Sequence, residues 1–363
     1  MFFGDIFFKI GQFDNHIAVL YACYAPQWPV DCSNFIMWDV ITQEQIAVSS
    51  LQTVHSHPLI SCGRFQKLYS MDYRSFVFLD HRWILFGSMR HDTDRGGHRS
   101  HPYLEIVDPT RPTDVTTLEL DKSVVTYSSD TTVSIKVEAG ARDEEDSLTG
   151  SRGMPFVSDT ARGIVVTEVN LYHRDARGGD DSTRFESFVF VMNIEDLLTI
   201  VSSPLNPESR CVEWEDLCSS VAMFSYYSTG QGRYRIFPRE SYVSGFRYAS
   251  PIQPLVPENP DGPRCFFIYD FNPYRETSDS LPGAAEDRPP GMNYPRGASG
   301  TTREVIGGLS CWKTKFDLPA VGEDVKKCYV TLTDSGVVLF EVCSFPSRSS
   351  IAVRYLYGFL TVE

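Results

Sequence analysis

FIMWDVITQ at residues 35–43, YLEIVDPTR at 103–111, SFVFVMNIED at 187–196 and FFIYDFNPY at 266–274 have one form in common. Each is an apolar strand that ends in Asp or Asn and runs into a turn. Each follows a second apolar run: HIAVLYA (16–22), WILFGSM (83–89), GIVVTEVNLY (163–172) and GFRYASPI (245–252). The C-terminal part supplies a further set: CYVTLTD, GVVLFEV and IAVRYLYGF. Val, Ile, Thr and aromatic side chains suit a pleated, half-buried surface. A carboxylate or carboxamide where the strand ends can accept the backbone N–H groups of the turn and so fix the hairpin. That reading makes Asp39, Asp108, Asn193 and Asp270 structural turn caps. Carboxylates repeated at equivalent sites point to a structural duty rather than to one active site.

Working outward, helical periodicity is nearly absent. Short helices are predicted only at residues 194–201 and 214–223. Elsewhere short strand-like runs are broken by Gly, Pro, Asp and Asn. Val133, Ile135 and Val137 alternate with polar residues, the pattern of a strand with one wet face. The caps are 69, 85 and 77 residues apart. A regular propeller blade takes about 40–50 residues, so the units must carry long insertions. Polar, charged or Gly/Pro-rich stretches near 90–101, 138–153, 173–184 and 277–302 read as those surface loops. The expectation is an all-β fold in one domain over residues 1–363. It is a β-propeller-like (WD-repeat-like) array of roughly five recognisable blades, whose ring need not be complete.

Composition narrows the function. The chain has 363 residues, 42% hydrophobic and 22% charged, which is enough to build a large core. Its 24 Phe, 18 Tyr and 5 Trp again favour strands. A net charge of −14 repels phosphate backbones, so nucleic-acid binding is not expected. No apolar run reaches the roughly 18 residues of a spanning helix, so no membrane association is expected. The opening MFFGDIFFKIGQF lacks a basic leader region and a cleavage site, and reads as a strand that begins at once. Nine cysteines, an odd number without a CxxC pair, read as reduced thiols of an intracellular protein, cytoplasmic or nuclear.

No motif for chemistry stands out. Gly230-Gln-Gly232 lacks the third glycine and the following helix of a dinucleotide loop. Gly297-Ala-Ser299-Gly300 misses the spacing of a nucleophile elbow. His55 and His57 form an H-x-H pair, and His91, His98 and His101 crowd one stretch, but no further ligand completes either set. No catalytic residue, metal or cofactor is assigned. Trp28, between Pro26 and Pro29, and the pair Tyr226 and Tyr227 are the candidate contacts to a protein partner.

The ordered blocks DNHIAVLYA…FIMWDVITQEQIAV, SFVFLDHRWILFGSM…PYLEIVDP, PFVSDTARGIVVTEVNLYHRD, CFFIYDFNPY and CYVTLTDSGVVLFEV resemble the C-terminal region of fungal, mushroom-type F-box proteins, from about Asp14 to Leu339. The resemblance implies a β-propeller that holds substrate for a cullin-type ubiquitin ligase. In that family an N-terminal F-box docks a Skp-type adaptor. The chain itself carries no F-box: Leu281-Pro282 and Leu318-Pro319 are its only Leu-Pro pairs, and neither leads an amphipathic helix. A Skp-type adaptor is therefore expected only if an F-box lies upstream. The expected function is a non-enzymatic protein-interaction module. The competing expectations are a propeller hydrolase using axial carboxylates and a WD-repeat-like scaffold unrelated to ubiquitin.

Overall fold

Alternating and fully apolar strands of this kind can bury their faces only against other sheets. The computed structural model arranges them so. It describes residues 6–23, 32–50, 75–94, 97–124, 131–139, 163–173, 184–202, 210–229, 242–255, 263–273, 298–318, 325–333, 336–344 and 351–358. The first sheet is a meander of β1 (Ile6–Phe13), β2 (His16–Cys23), β3 (Cys32–Asp39) and β4 (Gln45–Ser50). The second repeats it with β5 (Ser75–Phe78), β6 (Ile84–Asp94), β7 (Gly97–Asp108) and β8 (Arg111–Glu119).

The third sheet starts with β9 (Thr131–Ala139), β10 (Ile164–His173) and β11 (Arg184–Asn193). The chain then makes α1 (Ile194–Ser202), β12 (Arg210–Val212) and α2 (Trp214–Leu217) before β13 (Val221–Thr229) completes the sheet beside β11. β12 pairs in parallel with β8, so the excursion ties the third sheet to the outer edge of the second. The fourth sheet runs β14 (Tyr242–Ser244), β15 (Arg247–Ala249), β17 (Arg264–Asp270), β19 (Leu309–Leu318), β18 (Ala298–Ile306), with β16 (Gln253–Pro254) also on β17. The fifth is β20 (Val325–Thr333), β21 (Gly336–Ser344) and β22 (Ile351–Gly358).

The four sequence blocks that end in Asp or Asn are β3, β7, β11 and β17, each third among the principal strands of its sheet. The sheets stack in chain order. Ala18, Leu20, Phe35 and Met37 of the first meet Phe76, Phe78, Ile84 and Phe86 of the second. Leu85, Leu104 and Ile106 on the other face of the second meet Val133, Ile135, Val165 and Val169 of the third. Ile164, Val166 and Val189 meet Tyr248 and Tyr269 of the fourth. Ala249, Phe266 and Ile268 meet Val330, Leu332 and Val337 of the fifth. The first strands form a series, β1 against β5, β5 against β9, β9 against β14 and β14 against β20. Middle strands such as β10 carry buried apolar residues on both faces because a sheet covers each.

Three expectations change. Residues 90–94 and 97–101 of the expected 90–101 loop are strand: β6 and β7 stay paired from Ile84↔Val107 out to Asp94↔Gly97. Backbone pairing carries the polar arms of this hairpin, whatever their side chains. Within 277–302, residues 298–302 begin β18 and pair with β19 across a register shift between Ala298 and Thr301. The second predicted helix stops at Leu217, and Val221 to Met223 belong to β13, where pairing with β11 wins over weak helical propensity. α1 covers the predicted 194–201, with Ile194, Leu197 and Val201 buried. Residues 140–153 and 174–183 lie outside the described residues.

Candidate functional site

Where the first strands meet, Lys9 is the one charged residue of β1. Alternation along β1 turns Lys9, Gly11 and Phe13 toward the second sheet; a Cβ on Gly11 would stand 2.8 Å from the Phe76 ring. The Lys9 ammonium donates to Ser75 Oγ at 2.8 Å and to the Val137 carbonyl at 2.5 Å. It lies 6.0 Å from the Phe76 ring centroid. The buried Ser75 hydroxyl donates to the Val137 carbonyl at 3.1 Å and accepts the Val137 N–H at 3.0 Å. Ser75 thus acts as a side-chain strand partner for the edge of β9, and Lys9 adds β1 to the joint. Burial pushes the Lys9 pKa down from 10.5 to about 8; Glu138 pulls it up and Lys136 pushes it further down. The Lys136–Glu138 pair beside it is 2.6 Å apart. Sequence reading passed over Lys9, although a lone cation within IFFKIGQF was a visible signal.

One rim of the stack carries the turns. Asp39 Oδ1 accepts N–H groups from Ile41 (2.8 Å) and Thr42 (3.1 Å). These bonds, Thr42 foremost, hold its pKa low against a smaller effect of desolvation. Asp80, which the repeat did not single out, accepts from Arg82 and Trp83 in the same way. The Asp108 side chain is 2% exposed, and its Oδ2 accepts Arg82 Nε at 2.8 Å. Its Oδ1 accepts the N–H and hydroxyl of Thr110. Burial works against the charge of Asp108, but the Thr110 and Arg82 hydrogen bonds outweigh it and leave its pKa below the usual value. Asp270 Oδ1 accepts the Asn272 N–H at 3.0 Å. Asn193 differs: a helix follows it, so its amide donates to Asp196 at 3.4 Å while its Oδ1 stays buried without a hydrogen bond.

Of the aromatic candidates, the side chain of Tyr226 alone is described. Tyr226 is turned inward to the junction of the third and fourth sheets, where its hydroxyl lies 3.2 Å from that of Tyr248. Alternation along β13 sets it on the face that meets the fourth sheet, which removes it from partner contact. Burial pushes the pKa values of Tyr226, Tyr248 and Tyr269 upward. Phe224 packs among them, 4.6 Å from the Tyr269 ring. Tyr227 occupies β13 opposite Glu186 in register. Trp28, His55 and His57 lie outside the described residues. In the same junction the cross-strand pair Asn170 and Ser187 is buried, with Asn170 Oδ1 and Ser187 Oγ making no hydrogen bond.

His91, His98 and His101 stand on the paired arms of β6 and β7. Among the described residues no three His, Cys, Asp or Glu come together as a metal site. Burial pushes the thiol of Cys265 up, and that of Cys311 to about 11, so neither is poised as a nucleophile at neutral pH. No helix among the described residues is long and apolar enough to cross a membrane.

The chain is thus a mostly-β protein of antiparallel sheets stacked in sequence order, with polar groups spent on joints and turns. No protein-family model and no curated protein matches it.

Proposed function

We infer that the chain is a non-enzymatic protein-interaction module of β-propeller-like form. In this reading it serves as the substrate side of an adaptor like the fungal F-box proteins it resembles. The observation that carries the reading is the series of first strands, β1 to β5, β9, β14 and β20, each belonging to a sheet that packs on the next. A stack of this kind is a rigid support whose connecting segments are free to vary, which suits recognition of a protein partner. The carboxylates of Asp39 and Asp108 spend their lone pairs on turn N–H groups and Arg82, which favours this reading over an axial-carboxylate hydrolase.

The test starts with the 5′ end of the transcript, followed by a pull-down of its full product with a Skp-type adaptor. The reading expects an in-frame upstream helical segment with a Leu-Pro start, and binding through it. A message that starts at Met1, with a product that does not bind, overturns the adaptor role and leaves an interaction module outside the ubiquitin system.

A further inference from the structure

The junction of the third and fourth sheets is polar along one row. Register sets Tyr226 of β13 opposite Ser187 of β11, Ser187 opposite Asn170 of β10, and Asn170 opposite Ser134 of β9. Alternation puts this row on the face that carries Val166, Val189 and Phe224 to the fourth sheet. Glu168 lies on the same face of β10, two residues nearer the capped rim, and is buried. At the same level, the other face of these strands is Val169, Leu171 and Phe188, packed in the core between the second and third sheets. Nearness to the strand ends therefore does not explain the polar row. Asn170 is 6% exposed and Ser187 is fully buried, yet Asn170 Oδ1 and Ser187 Oγ make no hydrogen bond. Directly opposed side chains have Cβ atoms about 4.5–5.5 Å apart, so one ion between them can touch both oxygens. The Tyr226 and Tyr248 hydroxyls, 3.2 Å apart, flank the Ser187 end of the row. Burial foremost, with the charge of Glu168 added, keeps both hydroxyls protonated well above neutral pH.

Charge in this junction is not balanced among the described residues. The ion pairs Lys136–Glu138, Lys313–Glu304 and Lys315–Asp317 cancel, and Glu168 leaves one negative charge over. We propose that the row is a binding site for one alkali metal ion, held by Asn170 Oδ1, Ser187 Oγ and the Tyr226 hydroxyl oxygen, with Glu168 supplying the balancing charge. Hard cations take carbonyl, hydroxyl and carboxylate oxygens. The set has no His or Cys to hold a softer transition metal. A divalent ion would leave an excess positive charge in a buried place, which is strongly unfavourable. Orphaned buried oxygens destabilise the ion-free protein. The ion gives them a partner and joins β10, β11 and β13 of the third sheet at the point where Tyr226 meets Tyr248 of the fourth.

The experiment compares the thermal midpoint of the full chain in potassium chloride, sodium chloride and choline chloride at equal ionic strength. A ligand of the folded state alone stabilises it in proportion to its occupancy. The site therefore predicts a saturable rise of several degrees in potassium or sodium chloride over choline chloride. Ser187→Ala removes one orphaned oxygen, so in choline chloride it should match or exceed the wild type. It should show no rise in the alkali salts. Glu168→Gln keeps the shape of the side chain and removes its charge, and it too should lose the rise. Equal midpoints of the wild type in all three salts overturn the site, and leave water or nothing between Asn170 and Ser187. A rise that survives undiminished in Ser187→Ala or in Glu168→Gln also overturns it, because the ion then sits elsewhere on a chain of net charge −14.

Discussion

Replacing Lys9 by Met tests the joint between the first strands. The folded state lowers the Lys9 pKa from 10.5 to about 8. Between those values the unfolded chain binds the proton and the folded chain does not, so this group makes stability rise with pH across that window. Below pH 8 the burial cost is present in full. The 2.5-unit difference corresponds to about 3 kcal/mol. Met keeps most of the stem volume against Phe76 and carries no charge. Ser75 and Val137 retain two hydrogen bonds to each other, so the substitution orphans neither. Unfolding in urea, followed by tryptophan fluorescence from pH 7 to 10.5, gives both stabilities. Wild-type stability minus that of Lys9→Met should grow by about 3 kcal/mol between pH 8 and 10.5. Subtraction cancels the buried tyrosines and Cys311. Their raised pKa values work the other way, because stability falls once the unfolded groups begin to ionise above about pH 9. A difference that stays flat across the window would refute the buried, hydrogen-bonded amine.

Asp108→Ala removes acceptors from Thr110 and Arg82 and should lower stability by about 1–3 kcal/mol in denaturant titrations, whereas Thr110→Ser, which keeps the hydroxyl, should cost far less. Ser187→Ala removes a buried hydroxyl that makes no hydrogen bond, and should leave stability unchanged or raise it by about 1 kcal/mol; a clear loss would show that the hydroxyl is satisfied. Gly308 packs so tightly on the Ser219 carbonyl that a Cβ has no room there. Gly308→Ala should therefore cost about 1–3 kcal/mol, measured as a lower thermal midpoint. Tyr248→Phe strips Tyr226 of its hydroxyl partner and should cost about 1–2 kcal/mol in urea unfolding.

The strands were legible because side-chain alternation and aromatic content are local properties. The Asp-ended blocks could be read for the same reason: a cap bonds the two or three residues that follow it, as Asp39 does with Ile41 and Thr42. Asn193 escaped the rule because the segment after it is amphipathic and winds into α1. Tyr226 read as an exposed aromatic anchor in a loop. Only the register across β11 and β13 turns it to the fourth sheet.

By itself the sequence determined the strands, their caps and the acidic, aromatic composition, since each depends on residues a few positions apart. The tertiary structure alone decided the stacking order of the sheets, the pairing of β12 with β8, and the meeting of Lys9 with Ser75 and Val137, 66 and 128 residues away. Such contacts form where whole sheets lay their faces together. No local pattern records which distant backbone carbonyl a lysine will find.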